Sequence, residues 1–182
     1  MGAFDEITVE RKEIYSGKIL KLRCDRVRLP DGGEAPREVV EHGGAVCVLP
    51  VSGEGRALLV RQFRYPAGEE LLEAPAGRLD AGEDPLEAAK RELCEETGCT
   101  AENWTGLGFI YPTAGYSTER IYLYLACGLK RGEAHPDEGE FLKPEEVELE
   151  KLWDMAANGE ITDGKTVCAV FRGKQFLQNR GK

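Results

Sequence analysis

Residues 77–99, GRLDAGEDPLEAAKRELCEETGC, carry the clearest local signals in this 182-residue chain. Asp84 is a favourable N-cap, Pro85 suits the first helical position, and Glu87 completes a capping box. Gly98 is typical of the residue at which a helix ends. Apolar side chains recur at helical spacing between the two ends: Leu86, Ala89, Leu93 and Cys94. The stretch predicts an amphipathic helix between Asp84 and Gly98.

The polar face of this predicted helix is strongly acidic. Glu92 and Glu96 stand four positions apart and project from one face, with Glu95 beside them. Like charges at this spacing destabilise a helix by roughly 0.2–0.5 kcal/mol per pair, so a compensating charge is expected. A divalent cation is one candidate, because carboxylate oxygens are the ligands that Mg²⁺ and Mn²⁺ prefer. The alternative is a solvated acidic face, which is favourable near a helix N-terminus.

Apolar patterns elsewhere predict a sheet and two more helices. Strands are predicted over residues 18–29, 37–41, 44–51, 56–63, 104–111 and 120–127, and helices over 152–157 and 163–178. This order of elements indicates an α/β fold in which helices pack on the faces of a mixed central sheet. We expect residues 1–43 to form an N-terminal β arm and residues 44–182 to form the main domain.

Composition excludes several classes of protein. The net charge of −9 argues against a nucleic-acid partner, since phosphate contacts need clustered Lys and Arg, and against an anionic membrane surface. No apolar run approaches the ~18 residues of a membrane span, and the first residues show no secretory signal. The six cysteines are scattered through apolar segments, which favours reduced thiols in a cytoplasmic protein. An anionic substrate would need arginines or metal ions to offset the acidic field.

The spacing of polar residues in the 77–99 stretch follows the pattern G-x5-E-x7-R-E-U-x-E-E-x-G-U, where U is a bulky apolar residue. Its fixed positions are Gly77, Glu83, Arg91, Glu92, Glu95, Glu96 and Gly98. Such a set matches by chance on the order of 10⁻⁸ per starting point. Cys99 fills the last apolar position. The stretch resembles the Nudix box, and the chain therefore resembles the Nudix hydrolases.

Segments outside the box resemble the ADP-ribose pyrophosphatase branch of that family: residues 15–51, 60–66, 72–77, 115–117, 137–141 and 159–166. The resemblance implies an α/β/α sandwich and a homodimer formed through the N-terminal arm. It also implies Mg²⁺-dependent hydrolysis of ADP-ribose to AMP and ribose 5-phosphate, with Mn²⁺ as a second usable metal. The chain departs from the branch at Ala114, where a proline is usual. That departure concerns the identity of the substrate and not the diphosphate chemistry.

The resemblance implies a metal site on the acidic helix. Glu92, Glu96 and the backbone carbonyl of Ala76 would be its main ligands. Glu95 would bind an additional ion or orient its water. Arg91 would brace the glutamates by a salt bridge.

The same resemblance places the general base on a loop after the box. Glu138 is the first candidate and Glu140 the second, because the only acidic loop at that place contains them. The alternative interpretation is an ordinary solvated acidic loop.

The resemblance also implies that three residues contact the substrate. Arg64 would bind the diphosphate, for which a bidentate guanidinium is well suited; the alternative is a surface arginine paired with Glu69 or Glu70. Arg37 in the arm would reach a ligand in a partner subunit. Glu73 would contact the terminal ribose or simply end a strand.

Two rival functions remain open from the sequence. One is the same hydrolysis on another nucleoside diphosphate sugar, such as GDP-mannose. The other is a non-catalytic module that senses a nucleotide, although Glu92, Glu95 and Glu96 are all present. A nucleoside triphosphate hydrolase is a more distant rival, against which the long arm argues.

Overall fold

The chain folds as two compact units. A computed structural model describes residues 2–135, 139 and 141–180. The first unit ends at Gly44 and also takes in Tyr111–Arg120. The second unit comprises Ala45–Ile110 and the chain from Ile121 onward. No sequence pattern indicated that residues 111–120 belong with the arm, because the two segments lie far apart along the chain.

The first unit is built on a three-stranded antiparallel sheet in the order β1-β2-β3. Its strands are β1 (Ile7–Ser16), β2 (Lys21–Arg28) and β3 (Glu34–Glu41). Strand β1 was not predicted, because all ten of its residues are exposed and no buried face marks it. The segment Tyr111–Arg120 joins β3 through two backbone hydrogen bonds, from Val40 N to the Tyr116 carbonyl at 2.7 Å and from Thr118 N to the Val40 carbonyl at 3.0 Å.

The second unit contains a seven-stranded mixed sheet. Its strands are β4 (Ala45–Val51), β5 (Arg56–Arg64), β6 (Glu69–Glu73), β7 (Ala76–Arg78), β8 (Cys99–Ile110), β9 (Ile121–Arg131) and β10 (Leu142–Glu148). The main order is β10-β5-β4-β9-β8, with β6 beside β5 and β7 beside β4. Strands β4 and β9 are parallel and the other pairs are antiparallel. The predicted mixed sheet is confirmed, and β6, β7 and β10 are additional strands.

Helices cover both faces of this sheet. Every residue of β4 is buried, as expected for a central strand. Val46 and Val48 pack with α1 (Pro85–Thr97), whereas Cys47 and Leu49 pack with α2 (Leu149–Ala157) and α3 (Gly164–Arg180). The α/β/α sandwich is thus confirmed within this unit. None of the helices in the described part of the chain has the length and apolar character needed to cross a bilayer.

Both predicted ends of α1 are observed. The Asp84 carboxylate accepts hydrogen bonds from the backbone N–H groups of Leu86 at 2.9 Å and Glu87 at 3.3 Å. Gly98 ends the helix in the left-handed conformation, with φ of 70°. The carboxylate of Glu87, expected to close a capping box, instead accepts a hydrogen bond from Lys90 Nζ at 2.7 Å.

Candidate active site

The acidic face of α1 is organised around one arginine. Arg91 Nη1 donates to Glu92 at 2.7 Å and to Glu95 at 2.9 Å. The same guanidinium donates to both carboxylate oxygens of Glu83, at 2.9 and 3.0 Å. Arg91 thus supplies the compensating positive charge that the spacing of the glutamates requires. It braces Glu92 and Glu95 by salt bridges, as the resemblance implies. Glu92, Glu95 and Glu96 are here called the glutamate row.

The pair between Arg91 and Glu83 is ionised throughout the neutral range. The hydrogen bond from Arg91, with a second from the Asp80 backbone N–H, lowers the pKa of Glu83 to about 2. Hydrogen bonds to Glu83 raise the pKa of Arg91 in return. Because Glu83 precedes α1 and Arg91 lies within it, this pair fixes the preceding loop to the helix.

The three glutamates of the row differ in exposure. Glu96 is nearly buried, with 3% of its surface exposed, whereas the side chain of Glu95 is 32% exposed. Glu96 Oε2 accepts a hydrogen bond from the Ala76 backbone N–H at 3.1 Å. Glu96 and Ala76 are thus adjacent, as a shared metal ion would require, and Glu95 lies on the solvent side.

Gly77 provides the space that the Glu92 carboxylate occupies. A Cβ atom built at Gly77 would lie 2.0 Å from both Cδ and Oε1 of Glu92, far inside any permitted contact. A side chain here would fill the cradle that holds this carboxylate. The sequence pattern requires glycine at position 77, but only the structure shows that the Glu92 carboxylate is what excludes a side chain there.

The donor set fits a divalent metal ion in its chemistry. The available donors are carboxylate oxygens and a backbone carbonyl, which suit a hard cation. In the part of the chain that the structure describes, no group of three or more His, Cys, Asp or Glu side chains is assembled as a metal site. Arg91 bridges two of the glutamates, so a bound cation would compete with it for Glu92 and Glu95.

Arg64 is paired with Glu73 and not with Glu69 or Glu70. Its Nε and Nη2 atoms donate to the two Glu73 oxygens at 2.7 and 2.8 Å. Glu73 is completely buried and also pairs with Lys165. Burial by itself would raise the pKa of Glu73, but the Arg64 hydrogen bond and the Lys165 charge outweigh it and lower the pKa. Glu73 is the last residue of β6, and its contact with the terminal ribose stays a prediction.

Arg37 lies in the first unit, and 42% of its side-chain surface is exposed. Its guanidinium donates to the Glu6 carboxylate at 2.8 and 2.5 Å. Whether it reaches a partner's ligand stays a prediction.

The candidate bases Glu138 and Glu140 lie outside the described residues. Residues 132–135, here called the loop stem, precede them and contact the end of α1. The backbone N–H of Gly132 donates to the Gly98 carbonyl at 2.7 Å, and that of His135 donates to the Glu95 carbonyl at 3.0 Å. A Cβ atom at Gly98 would lie 2.6 Å from the backbone nitrogen of Ala134. The loop therefore starts against the end of α1 that carries the glutamates.

Sequence reasoning missed a polar cluster at the start of α3. Lys165 contacts Glu73 and, at 3.0 Å, Asp163. Thr166 Oγ1 accepts a hydrogen bond from the Ala74 backbone N–H at 2.8 Å. Residues 159–166 were part of the resemblance, but nothing in their pattern reveals a contact with residues 73 and 74.

These features place the chain in a known class. The family description "NUDIX domain" matches residues 41–170, well over half of the chain. The chain belongs to the Nudix family. Residues 6–40 match the "Nucleoside diphosphate sugar hydrolase N-terminal domain".

Individual relatives align over nearly the whole length. The chain is 39% identical over 180 residues to an ADP-ribose pyrophosphatase of Bacillus subtilis, covering 98% of this chain and 95% of the relative. It is 40% identical over 177 residues to a methanol dehydrogenase activator of Bacillus methanolicus, covering 96% and 94% respectively. A solved structure described as an ADP compounds hydrolase shares the fold with a TM-score of 0.86 at 21% identity, covering 97% of this chain and 96% of its own.

Proposed function

We propose that this protein hydrolyses the diphosphate bond of ADP-ribose, using Mg²⁺ or Mn²⁺, to AMP and ribose 5-phosphate. The observation that carries the proposal is the α1 glutamate row, with Glu96 hydrogen-bonded to Ala76 and Glu92 seated on Gly77. The 39% identity to an ADP-ribose pyrophosphatase over 98% of the chain supports the choice of substrate.

In this proposal Glu92, Glu96 and the Ala76 carbonyl hold the metal ion. Glu95 binds an additional ion or orients its water, a role that its greater exposure supports. A bound cation neutralises diphosphate oxygens and lowers the pKa of a coordinated water. Arg91 keeps its bidentate pair with Glu83 when a cation takes over Glu92 and Glu95, so the helix face stays anchored.

Arg64 binds the diphosphate in this scheme. Two of the three guanidinium nitrogens of Arg64 donate hydrogen bonds to Glu73. The third, Nη1, makes no hydrogen bond to any described residue. That nitrogen can donate to a phosphate oxygen while Glu73 holds the plane of the guanidinium. Glu73 thus acts on the diphosphate through Arg64.

Glu138 is the proposed general base, followed by Glu140. A base must come within hydrogen-bond reach of the water that attacks phosphorus. Support comes from the loop stem, whose bonds to the Gly98 and Glu95 carbonyls start the loop beside the metal site.

We also infer that the first unit forms a homodimer, in which Arg37 approaches the partner's ligand. Apolar side chains on exposed β1 support this: Ile7, Val9, Ile14 and Tyr15. Light scattering of the full chain is expected to give twice the 20.1 kDa chain mass. A monomer at micromolar concentration would overturn the dimer.

Hydrolysis of a substrate panel with Mg²⁺, and then with EDTA, tests the proposed function. The panel contains ADP-ribose, ADP-glucose, GDP-mannose, NADH, diadenosine polyphosphates and nucleoside triphosphates. The expected result is metal-dependent release of AMP, fastest from ADP-ribose. Faster turnover of GDP-mannose would support the proposed hydrolysis but show that ADP-ribose is not the preferred substrate. Substrate binding without any turnover would show that the protein is a nucleotide sensor and not an enzyme.

A further inference from the structure

The start of α3 contacts the segment that leads into the Nudix box. Thr166 is completely buried, and its Oγ1 accepts the Ala74 backbone N–H at 2.8 Å. The same hydroxyl donates to Asp163 Oδ2 at 2.5 Å. A hydroxyl has only one proton to donate. Because Thr166 donates that proton to Asp163, a lone pair of its oxygen is left to accept the hydrogen bond from the Ala74 N–H.

The Asp163 carboxylate is itself held in place. Its Oδ2 atom accepts the Thr166 backbone N–H at 3.0 Å, the bond that caps the first turn of α3. Its Oδ1 atom lies 3.0 Å from Lys165 Nζ, and Lys165 also pairs with the buried Glu73. The orientation of the Thr166 hydroxyl is therefore fixed by a chain of charged contacts inside the protein.

Residues 74–77, here called the ligand segment, are held from both faces of the sheet. Ala74 is bound from the α3 side by Thr166. Ala76 is bound from the α1 side by Glu96 at 3.1 Å. Between them, the Pro75 carbonyl accepts the Val48 backbone N–H at 2.8 Å, which ties the segment to β4.

Cys47 shows how close the two sides come. It is fully buried in β4 and pairs with Ala76 in the sheet. Burial raises the pKa of its thiol, and charges from both sides of the sheet act on it: Lys165, Asp163, Glu96 and Glu73. Ala74 is fully buried as well, so its backbone N–H would be costly to leave without a partner.

We propose that Thr166, oriented by Asp163 and Lys165, is a positioning residue for the metal site on the opposite face of the sheet. By fixing Ala74, it sets the place of the Ala76 carbonyl relative to Glu96 and hence the affinity for the metal ion. This inference rests on the proposed function, because it assigns a partner to the ligand segment of that same site.

Two substitutions separate the hydroxyl from the shape of the side chain. Thr166→Val keeps the shape and removes both hydrogen bonds, whereas Thr166→Ser keeps the hydroxyl. Thr166→Val is expected to raise the Kd for Mn²⁺, measured by electron paramagnetic resonance, on the order of 10-fold, the size seen when an outer-shell partner of a metal is lost. The value of kcat is expected to fall while the KM for ADP-ribose stays unchanged. Thr166→Ser is expected to bind Mn²⁺ like the wild type.

A readout without metal follows the contact directly. The Ala74 amide, observed by NMR in the metal-free protein, is expected to exchange with solvent faster in Thr166→Val than in the wild type and in Thr166→Ser. Equal exchange in all three proteins would show that the hydroxyl does not hold the ligand segment, and would overturn the inference.

Val170→Ala is the matched control. Val170 lies one turn further along α3 and is also completely buried, but it packs in the apolar core. This variant is expected to lower Tm with an unchanged Mn²⁺ Kd. Equal weakening of Mn²⁺ binding in Val170→Ala and Thr166→Val, or an unchanged Kd in Thr166→Val, would overturn the inference. A wild type that neither binds Mn²⁺ nor turns over the panel would instead overturn the proposed function.

Discussion

Replacing Gly77 by alanine tests whether the position of the Glu92 carboxylate governs catalysis. The new Cβ would lie 2.0 Å from Glu92 Cδ, and an ordinary contact begins at 3.4 Å, so one of the two must move by about 1.4 Å. The flexible end of Glu92 is the part that yields, since Gly77 lies in β7 and is held by the backbone of β4. A displacement of ~1 Å of a catalytic group costs on the order of 100-fold in rate.

The fold is expected to tolerate the same change. Gly77 is not among the residues with positive φ, so alanine fits its backbone, and a Gly to Ala change at such a position stabilises by about 0.4–1 kcal/mol through the unfolded chain. This gain offsets the weakened contact between Glu92 and Arg91. We therefore expect a kcat on the order of 100-fold lower, equivalent to about 2.7 kcal/mol, with Tm within a few degrees of the wild type.

The assay is AMP release from ADP-ribose at increasing Mg²⁺, beside a thermal melt. Gly53→Ala is the control, because its Cβ meets nothing within 4 Å and its φ is likewise not positive; its kcat is expected to be unchanged. Wild-type turnover by Gly77→Ala would refute the reasoning, because a shifted Glu92 would then suffice. A large loss of Tm would refute it too, since the backbone and not the carboxylate would have moved.

Three further predictions concern acidic residues. Glu96→Gln keeps an oxygen that can accept from the Ala76 N–H, so the variant is expected to fold normally. Loss of the carboxylate charge is expected to weaken Mn²⁺ binding by at least on the order of 100-fold, the upper end of the cost of losing an outer-shell partner. An unchanged Mn²⁺ affinity would remove Glu96 from the ligand set. Glu138→Gln is expected to lower kcat on the order of 10²–10⁴-fold with little change in KM, and an unchanged kcat would move the base to Glu140. Glu83→Gln tests pH dependence: the pKa of Glu83 is lowered from 4.5 to about 2, so its stabilising pair is complete above pH 4.5 and is lost as the pH falls towards 2. The difference in unfolding free energy between wild type and Glu83→Gln, measured by urea denaturation, should hold above pH 5 and shrink below pH 4.5; a difference that does not change down to pH 3 contradicts the ion pair.

The acidic helix was predictable because its signals are local. Asp84, Pro85 and Gly98 each act within a few residues of a helix end, and the structure places the ends where these residues stand. The buried strand β4 was equally clear, since its seven residues are all apolar and all buried.

Strands without a buried face escaped prediction. Strand β1 is exposed along its whole length, so polar and apolar residues do not alternate against a core. Strand β10 carries three glutamates, a lysine and a proline, and it lies at the end of the main strand order, beside β5 alone. Both depend on hydrogen bonds to neighbouring strands, which sequence patterns do not show.

Long-range pairings in the site also escaped prediction. Arg64 lies opposite Glu69 in the register of the sheet, yet it pairs with Glu73, which is nine residues away in sequence. The contact between Thr166 and Ala74 spans 92 residues. Residue type identified Arg64 as a candidate, but its partner depends on where the buried Glu73 carboxylate lies in the folded sheet.

The bonds from Gly132 and His135 to the end of α1 tie residues 132–135 to the last turn of the helix. A shift of that turn would therefore move residues 132–135 with it. Gly98 is where both meet, because a Cβ atom there would lie 2.6 Å from the backbone nitrogen of Ala134. A single side chain added at Gly98 would thus disturb the helix end and the following segment together.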